Sequence, residues 1–190
     1  MSADFTSLNG KRIIIGISGG ISSYKTADLV SKLVQLGAII DVVMTGAATR
    51  FITPLTFESL SGRAVFDSQW KHVDGYDPQH IKIAQRADAM LIAPCTMNML
   101  AKLAAGFTND PVSLVISAID ISTTPVLLAP SMNATMLMQP STQRNIKLLT
   151  EDGFNVIPPE EGWQACKTHG AGRLPQTSDL LESLRASLDE

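Results

Sequence analysis

Apolar runs and amphipathic stretches alternate along the 190-residue chain. RIIIGIS (12–18) is short, β-branched and apolar without alternation, the pattern of a strand buried on both faces. In residues 21–36, Leu29, Val30, Leu33, Val34 and Leu36 fall on one helical stripe, and Gly37 follows as a stop signal. IIDVVMT (39–45) predicts a second strand. PLTFESLSG (54–62) predicts a short helix opened by Pro54, and RAVFDS (63–68) a short strand. AMLIAP (89–94) predicts a strand, and NMLAKLAAG (98–106) and VSLVISAI (112–119) predict helices. PVLLAP (125–130) is another strand, and STQRNIKLLTED (141–152) a helix that stops at Gly153. FNVIPP (154–159) predicts a last strand, and SDLLESLRASL (178–188) a C-terminal helix with Ser178 as N-cap.

Strand–helix alternation with apolar strands implies an α/β fold, a doubly wound parallel sheet in three layers of the Rossmann or flavodoxin kind. With no repeat or interdomain linker, residues 1–190 read as one domain. Ligands of such sheets bind beyond the carboxyl ends of the strands. After the first strand comes GISGGISSYK (16–25), a glycine turn feeding a helix that matches neither G-x-G-x-x-G nor a P-loop. Ser18, Gly19, Gly20 and Ser22 there suit a phosphate at a helix N-terminus, or simply make a tight turn. The second strand ends in Thr45, while Asp41 lies mid-strand, a poor place for a ribose contact. That points to a mononucleotide such as FMN over NAD, unless Thr45 only caps the next turn. The strand over 89–94 ends in APCTMNMLAKLAAG (93–106), which offers Thr96 and Asn98; Thr96 alone also reads as an N-cap, and Cys95 as a buried small residue. After the strand over 125–130, SMNATMLMQP (131–140) offers Asn133, either an amide grip on a carboxylate or a helix cap.

Composition narrows the partners. A net charge of -3 and a pI of about 5.6 argue against nucleic acid. No apolar run is long enough to span a bilayer, and MSADFTSLNGKR lacks the features of a signal peptide, so a cytoplasmic location is expected. Two cysteines and three histidines, with no C-x-x-C, give neither a disulfide framework nor a metal site by spacing. The segment GWQACKTHGAGRLPQ (162–176) places Cys166 beside Lys167 and His169 in a glycine-rich stretch, which predicts an exposed working thiol on a mobile flap over about 160–176. His80, in DPQHIKIAQRADAM (77–90), precedes a strand, and His72, in WKHVDGYD, reads as a surface-loop residue.

Taken together, GISGGISSYKTADLV, MTGAATRFITPLTFESLSG, QHIKIAQRADAMLIAP, PCTMNM and ACKTHGAGRL resemble the homo-oligomeric flavin-containing cysteine decarboxylases, over about residues 10–176. The branch acting on 4'-phospho-N-pantothenoylcysteine in coenzyme A biosynthesis is the most similar. The resemblance implies FMN as cofactor, held by Ser18, Gly19, Gly20, Ser22, Thr45, Thr96, Asn98 and Met132. It implies His80, Asn133 and Cys166 as catalytic residues, with Asn133, Met136, Lys167 and Arg173 meeting substrate. The implied course is oxidation of the thiol to a thioaldehyde, loss of carbon dioxide and re-reduction of the enethiolate. It further implies a homotrimer with active sites between subunits, and a ligase, expected on a separate polypeptide, that makes the substrate. The chain departs from the family pattern at Met99, Leu137, Lys167 and Leu174, where the family carries threonine, tryptophan, glycine and methionine. Three other readings stay open: a peptidyl-cysteine decarboxylase, a flavin prenyltransferase and a non-catalytic FMN-binding subunit.

Overall fold

The computed structural model describes residues 8–71 and 78–189; the expectation for His72 lies outside them. In chain order the elements are β1 (Arg12–Ile17), α1 (Ser23–Gln35), β2 (Ile39–Met44), α2 (Pro54–Ser61), α3 (Gln79–Gln85) and β3 (Ala89–Cys95). Then follow α4 (Met97–Ala104), α5 (Pro111–Ile116), β4 (Val126–Pro130), α6 (Ala134–Leu137), α7 (Pro140–Glu151) and β5 (Asn155–Val156). The chain closes with β6 (Glu160–Trp163), β7 (His169–Arg173) and α8 (Thr177–Asp189). Strands β1 to β5 form one parallel sheet in the order β2-β1-β3-β4-β5.

The unalternating apolar strands serve two cores, one per sheet face. Ile13, Ile15, Ile17, Ile40, Val42, Leu91 and Leu127 point to one side, where they meet Leu29 and Leu33 of α1, Phe57 of α2 and Leu180 and Leu184 of α8. Their neighbours Ile14, Val43, Met90, Ile92 and Leu128 point to the other, against Leu100 of α4, Val112 and Val115 of α5 and Leu149 of α7. The period-two geometry of a strand makes this division, and it is why every residue in such a strand must be apolar. The doubly wound α/β fold read from the sequence is therefore the fold of the chain.

Four local expectations change. RAVFDS forms no strand: only Phe66 pairs, in a single parallel bridge with Val43, while Arg63 is drawn to Asp41 at 2.7 Å and Asp67 to Lys71. The FNVIPP strand is cut to Asn155–Val156, because Pro158 and Pro159 have no N–H to extend the ladder. Ser178 is not the cap of α8, which already begins at Thr177; its hydroxyl turns to Asp179. FNVIPP is not the last strand either: the segment expected as a mobile flap contains an antiparallel hairpin, β6–β7, with Glu161 opposite Ala171 and Trp163 opposite His169. Its three glycines suppress β propensity, and no apolar alternation betrays it.

The sheet order places a topological switch between β1 and β3. From β1 the chain winds outward to β2, and from β3 in the opposite direction to β4 and β5. The carboxyl ends of β1 and β3 thus flank the crevice where such folds bind ligands.

Candidate active site

Ser18 leaves β1 and is only 2% exposed. Its hydroxyl donates to Pro94 O at 2.7 Å and lies 3.1 Å from Thr96 Oγ1, while the Thr96 N–H donates to Ser18 Oγ at 2.9 Å. One serine thereby ties the ends of β1 and β3 across the switch. Thr96 is also the N-cap of α4, accepting from the Met99 N–H. The side chain of Asn98, in the first turn of that helix, is exposed and makes no hydrogen bond among the described residues.

Between Ser18 and α1 the backbone N–H groups of Gly19, Gly20, Ile21 and Ser22 find no acceptor among the described residues. Four successive open donors before a 13-residue helix make an anion-binding cradle. Gly19 is needed there, because a Cβ would run into Ala47 of the loop after β2. The Ser22 and Ser131 hydroxyls meet at 2.9 Å, joining this loop to the turn after β4. Thr45 is buried, and its hydroxyl oxygen accepts from the Ala48 N–H at 3.1 Å, so it does cap the turn that follows β2. Asp41 is held by Arg63, as befits a structural mid-strand carboxylate.

The turn after β4 and the hairpin meet directly. Asn133 caps α6, its Oδ1 accepting from the Thr135 N–H at 2.8 Å. Its Nδ2 donates to Cys166 Sγ at 3.1 Å. Cys166 sits at the tip of the hairpin, in the three-residue loop Ala165, Cys166, Lys167. Gln164 N–H→Thr168 O and Lys167 N–H→Gln164 O close that loop, and Lys167 takes the left-handed conformation at φ 64°. The Thr168 hydroxyl lies 2.9 Å from the thiol. The Thr168 hydroxyl first, and the Asn133 amide second, hold the Cys166 thiol below its ordinary pKa against a smaller opposing effect of burial. The expected influence of Lys167 and His169 gives way to these uncharged donors; His169 faces Glu161 instead, at 3.6 Å. Cys95 is the opposite case, fully buried, its thiol pushed far up by desolvation.

The base of the hairpin docks by backbone. Met132 N–H donates to Gly172 O at 2.9 Å, and Gly172 lies so close to Met132 O that a Cβ would overlap it. Arg173 pairs with Glu160 at 3.3 Å, and Glu160 also accepts from Gln176 N–H and Nε2. Burial opposes the charge of Glu160, but the Gln176 donors and Arg173 outweigh it and keep its pKa below the usual carboxylate range. Partial burial, and then the Arg173 charge, push Lys25 below the usual lysine value. Lys167 and Met136 are exposed, and Met132 is half-buried.

His80 stands apart. It is half-buried in the first turn of α3, which packs on α5, whereas the hairpin packs on α6. Among the described residues His80 shares no hydrogen bond with Asn133 or Cys166. Within one chain, then, Ser18, Ser22, Thr96, Asn133 and Cys166 converge, and His80 does not join them. Gln164, Thr168 and Ser131 belong to the same site and carry no signal of it in the sequence; only the hairpin and the turn after β4 on which it docks mark them. The departures at Met99, Leu137 and Leu174 are buried apolar side chains, so packing explains them. Among the described residues no cluster of His, Cys, Asp or Glu fits a metal, and no helix is long and apolar enough to cross a membrane.

A strand-end crevice with an anion cradle and a thiol-bearing hairpin defines a cofactor-binding α/β protein. The chain belongs to the Flavoprotein family, whose model matches residues 1–189. It is 43% identical over 175 residues to the coenzyme A biosynthesis bifunctional protein CoaBC of Vibrio cholerae, and 40% identical over 175 residues to that of Bacillus subtilis. The match takes in 92% of this chain but only 43% and 42% of those proteins, so the chain spans less than half the length of the curated relatives it matches. Among solved structures, it superposes on a Cys-to-Ser mutant of PPC decarboxylase complexed with pantothenoylaminoethenethiol, with a TM-score of 0.84 and 25% identity. That match covers 96% of this chain and 100% of the other. The FMN-dependent cysteine decarboxylase SpaF gives a TM-score of 0.82 at 27% identity, over 96% of this chain and 99% of its own.

Proposed function

We propose that this chain decarboxylates 4'-phospho-N-pantothenoylcysteine to 4'-phosphopantetheine with FMN as cofactor, acting in the cytoplasm as a homotrimer. The observation that carries the reading is the 3.1 Å contact between Asn133 and the lowered-pKa thiol of Cys166, beside the open amides of the first turn. The names of the bifunctional CoaBC relatives and of the PPC decarboxylase neighbour support it. The residues present fit FMN: the Gly19–Ser22 amides offer a cradle for its phosphate, with Ser18, Thr45, Thr96, Asn98 and Met132 around the crevice.

An N-acylated cysteine cannot lose carbon dioxide without an electron sink, and FMN, when bound, supplies a reversible two-electron exchange at the thiol-bearing carbon. The chain's own residues do the rest. The Asn133 amide N–H orients the substrate carboxylate. His80 moves the proton at the thiol-bearing carbon, as an imidazole does near neutrality. Cys166 delivers the proton that completes reduction of the enethiolate, and the hairpin excludes water while Met136 lines the substrate. Lys167 or Arg173 meets the substrate phosphate. The ligase that forms the substrate's amide bond is the expected functional partner.

The test follows carbon dioxide and product mass when FMN-loaded protein meets 4'-phospho-N-pantothenoylcysteine. A product lighter by one carbon dioxide is expected. His80→Asn should abolish turnover, and Cys166→Ser should accumulate an oxidised, already decarboxylated species. Turnover only of a peptide with a C-terminal cysteine would move the substrate to the peptidyl class. Full activity of Cys166→Ser on another substrate, such as a prenyl donor, would sink the reading.

A further inference from the structure

Gln164 lies between the hairpin and the turn after β4 and is 7% exposed. Its Nε2 donates to Ala171 O at 2.8 Å, on the far strand of the hairpin, and lies 3.4 Å from Met132 O on the opposing turn. Its Oε1 faces the Ala134 N–H at 3.3 Å, Asn133 Nδ2 at 3.5 Å, Thr168 Oγ1 at 3.4 Å and Cys166 Sγ at 3.6 Å. Its own backbone closes the three-residue loop that carries the thiol. One buried amide thus touches the returning strand of the hairpin, the facing turn, the thiol, and the residue that donates to the thiol. Surface amides have no need of such a set, and a buried polar side chain keeps its place only when its partners are fixed.

We infer that Gln164 is a positioning residue for Cys166. Its amide clamps the hairpin onto the Met132–Ala134 turn and so sets the distance at which Asn133 and Thr168 meet the sulfur. The catalytic meaning of this rests on the proposed function; the clamp itself does not. No charged side chain reaches the thiol from the facing turn, since residues 131–137 are all uncharged. On the hairpin the charged groups are Lys167, next in the loop, the His169–Glu161 pair, and the Arg173–Glu160 pair at its base. The field at the sulfur is therefore made mainly by two neutral donors whose distances Gln164 fixes. The same geometry agrees with the direction of the Cys166 shift.

The experiment measures alkylation of Cys166 by iodoacetamide against pH in the purified full chain, read by peptide mass, with buried Cys95 as internal control for unfolding. Only the thiolate reacts, so the midpoint of the rate profile reports the thiol's ionisation. The wild-type midpoint should lie below that of an ordinary cysteine peptide. Thr168→Val removes one donor and should raise the midpoint by about half to one pH unit, whereas Gln164→Ala releases the clamp but also removes the Oε1 that accepts from the thiol, so its rise should be smaller. Gln164→Glu keeps the shape but sets a carboxylate beside the sulfur and should raise it most. Thr168→Ser should restore the wild-type midpoint. Thr168 is exposed, so its variants keep the test decisive even where a Gln164 variant exposes Cys95. Midpoints unchanged in Gln164→Glu and Thr168→Val would overturn the inference, as would an ordinary wild-type midpoint. In turnover, Gln164→Ala should divert product toward the oxidised, decarboxylated species. A wild-type chain with no turnover but with the expected midpoints would fail the functional reading and leave the clamp standing.

Discussion

Lys167 shows what one residue's backbone costs. It closes the hairpin loop in the left-handed region, at φ 64°, where a Cβ crowds the carbonyl and glycine is at ease. The resembled family carries glycine at this position, and the loop geometry gives the reason. Lysine here accepts strain and gains a cation near the thiol. Two substitutions separate those effects. Lys167→Gly should raise stability by about 1 kcal/mol, by relief of the left-handed conformation. Lys167→Ala keeps the strain and should leave stability close to wild type. If the ammonium meets the substrate phosphate, both variants should raise KM with little change in kcat. Denaturant unfolding and steady-state kinetics read the two effects independently. Equal stabilities for the Gly and Ala variants would remove the strain argument, and an unchanged KM in both would release Lys167 from the substrate.

At the scale of elements, the hairpin depends on one close approach. Gly172 has φ 121°, and a Cβ there would overlap Met132 O. Gly172→Ala must therefore push β7 away from the turn and break the Met132 N–H→Gly172 O bond. Hydrogen exchange should show lost protection at the Met132 amide while the amides of β1 and β3 stay protected, because an apolar core covers each face of the parallel sheet. FMN retention should survive, since the Gly19–Ser22 cradle is on another loop, but kcat should fall with the Asn133–Cys166 contact. Wild-type protection at Met132 in this variant would show that the hairpin docks some other way. The contrast explains what the sequence made legible. The parallel sheet announces itself because strands buried on both faces must be uniformly apolar, as in RIIIGIS and AMLIAP. The β6–β7 hairpin does not, because EEGW and HGAGR lack alternation and hold a single strong β former, Trp163, and tertiary contacts through Gln164 and Gly172 order them. Cys166 and Asn133 stood out as chemistry in unusual places. Gln164 and Thr168 did not, because an amide and a hydroxyl become informative only when a fold aims them.

For the whole molecule the question is where His80 acts. In one chain it sits in α3 against α5, with no hydrogen bond to the Asn133–Cys166 pair among the described residues. A proton-transfer residue must come within hydrogen-bond reach of the carbon it serves. His80 and Cys166 lie on elements that pack against different neighbours, and the proposed homotrimer would let a second copy bring one of them to the other. Complementation tests this directly. His80→Asn and Cys166→Ser chains, each unable to complete turnover alone, should regain activity when co-expressed and purified as mixed oligomers. In equal amounts, random assembly gives each site a half chance of an intact His80 and a half chance of an intact Cys166, so about one site in four should work. Sedimentation of the wild type should give a trimer or a multiple of it. Mixed oligomers with no recovered activity would place both residues in the same subunit's site, and a monomeric wild type that turns over substrate would remove the need for a partner altogether.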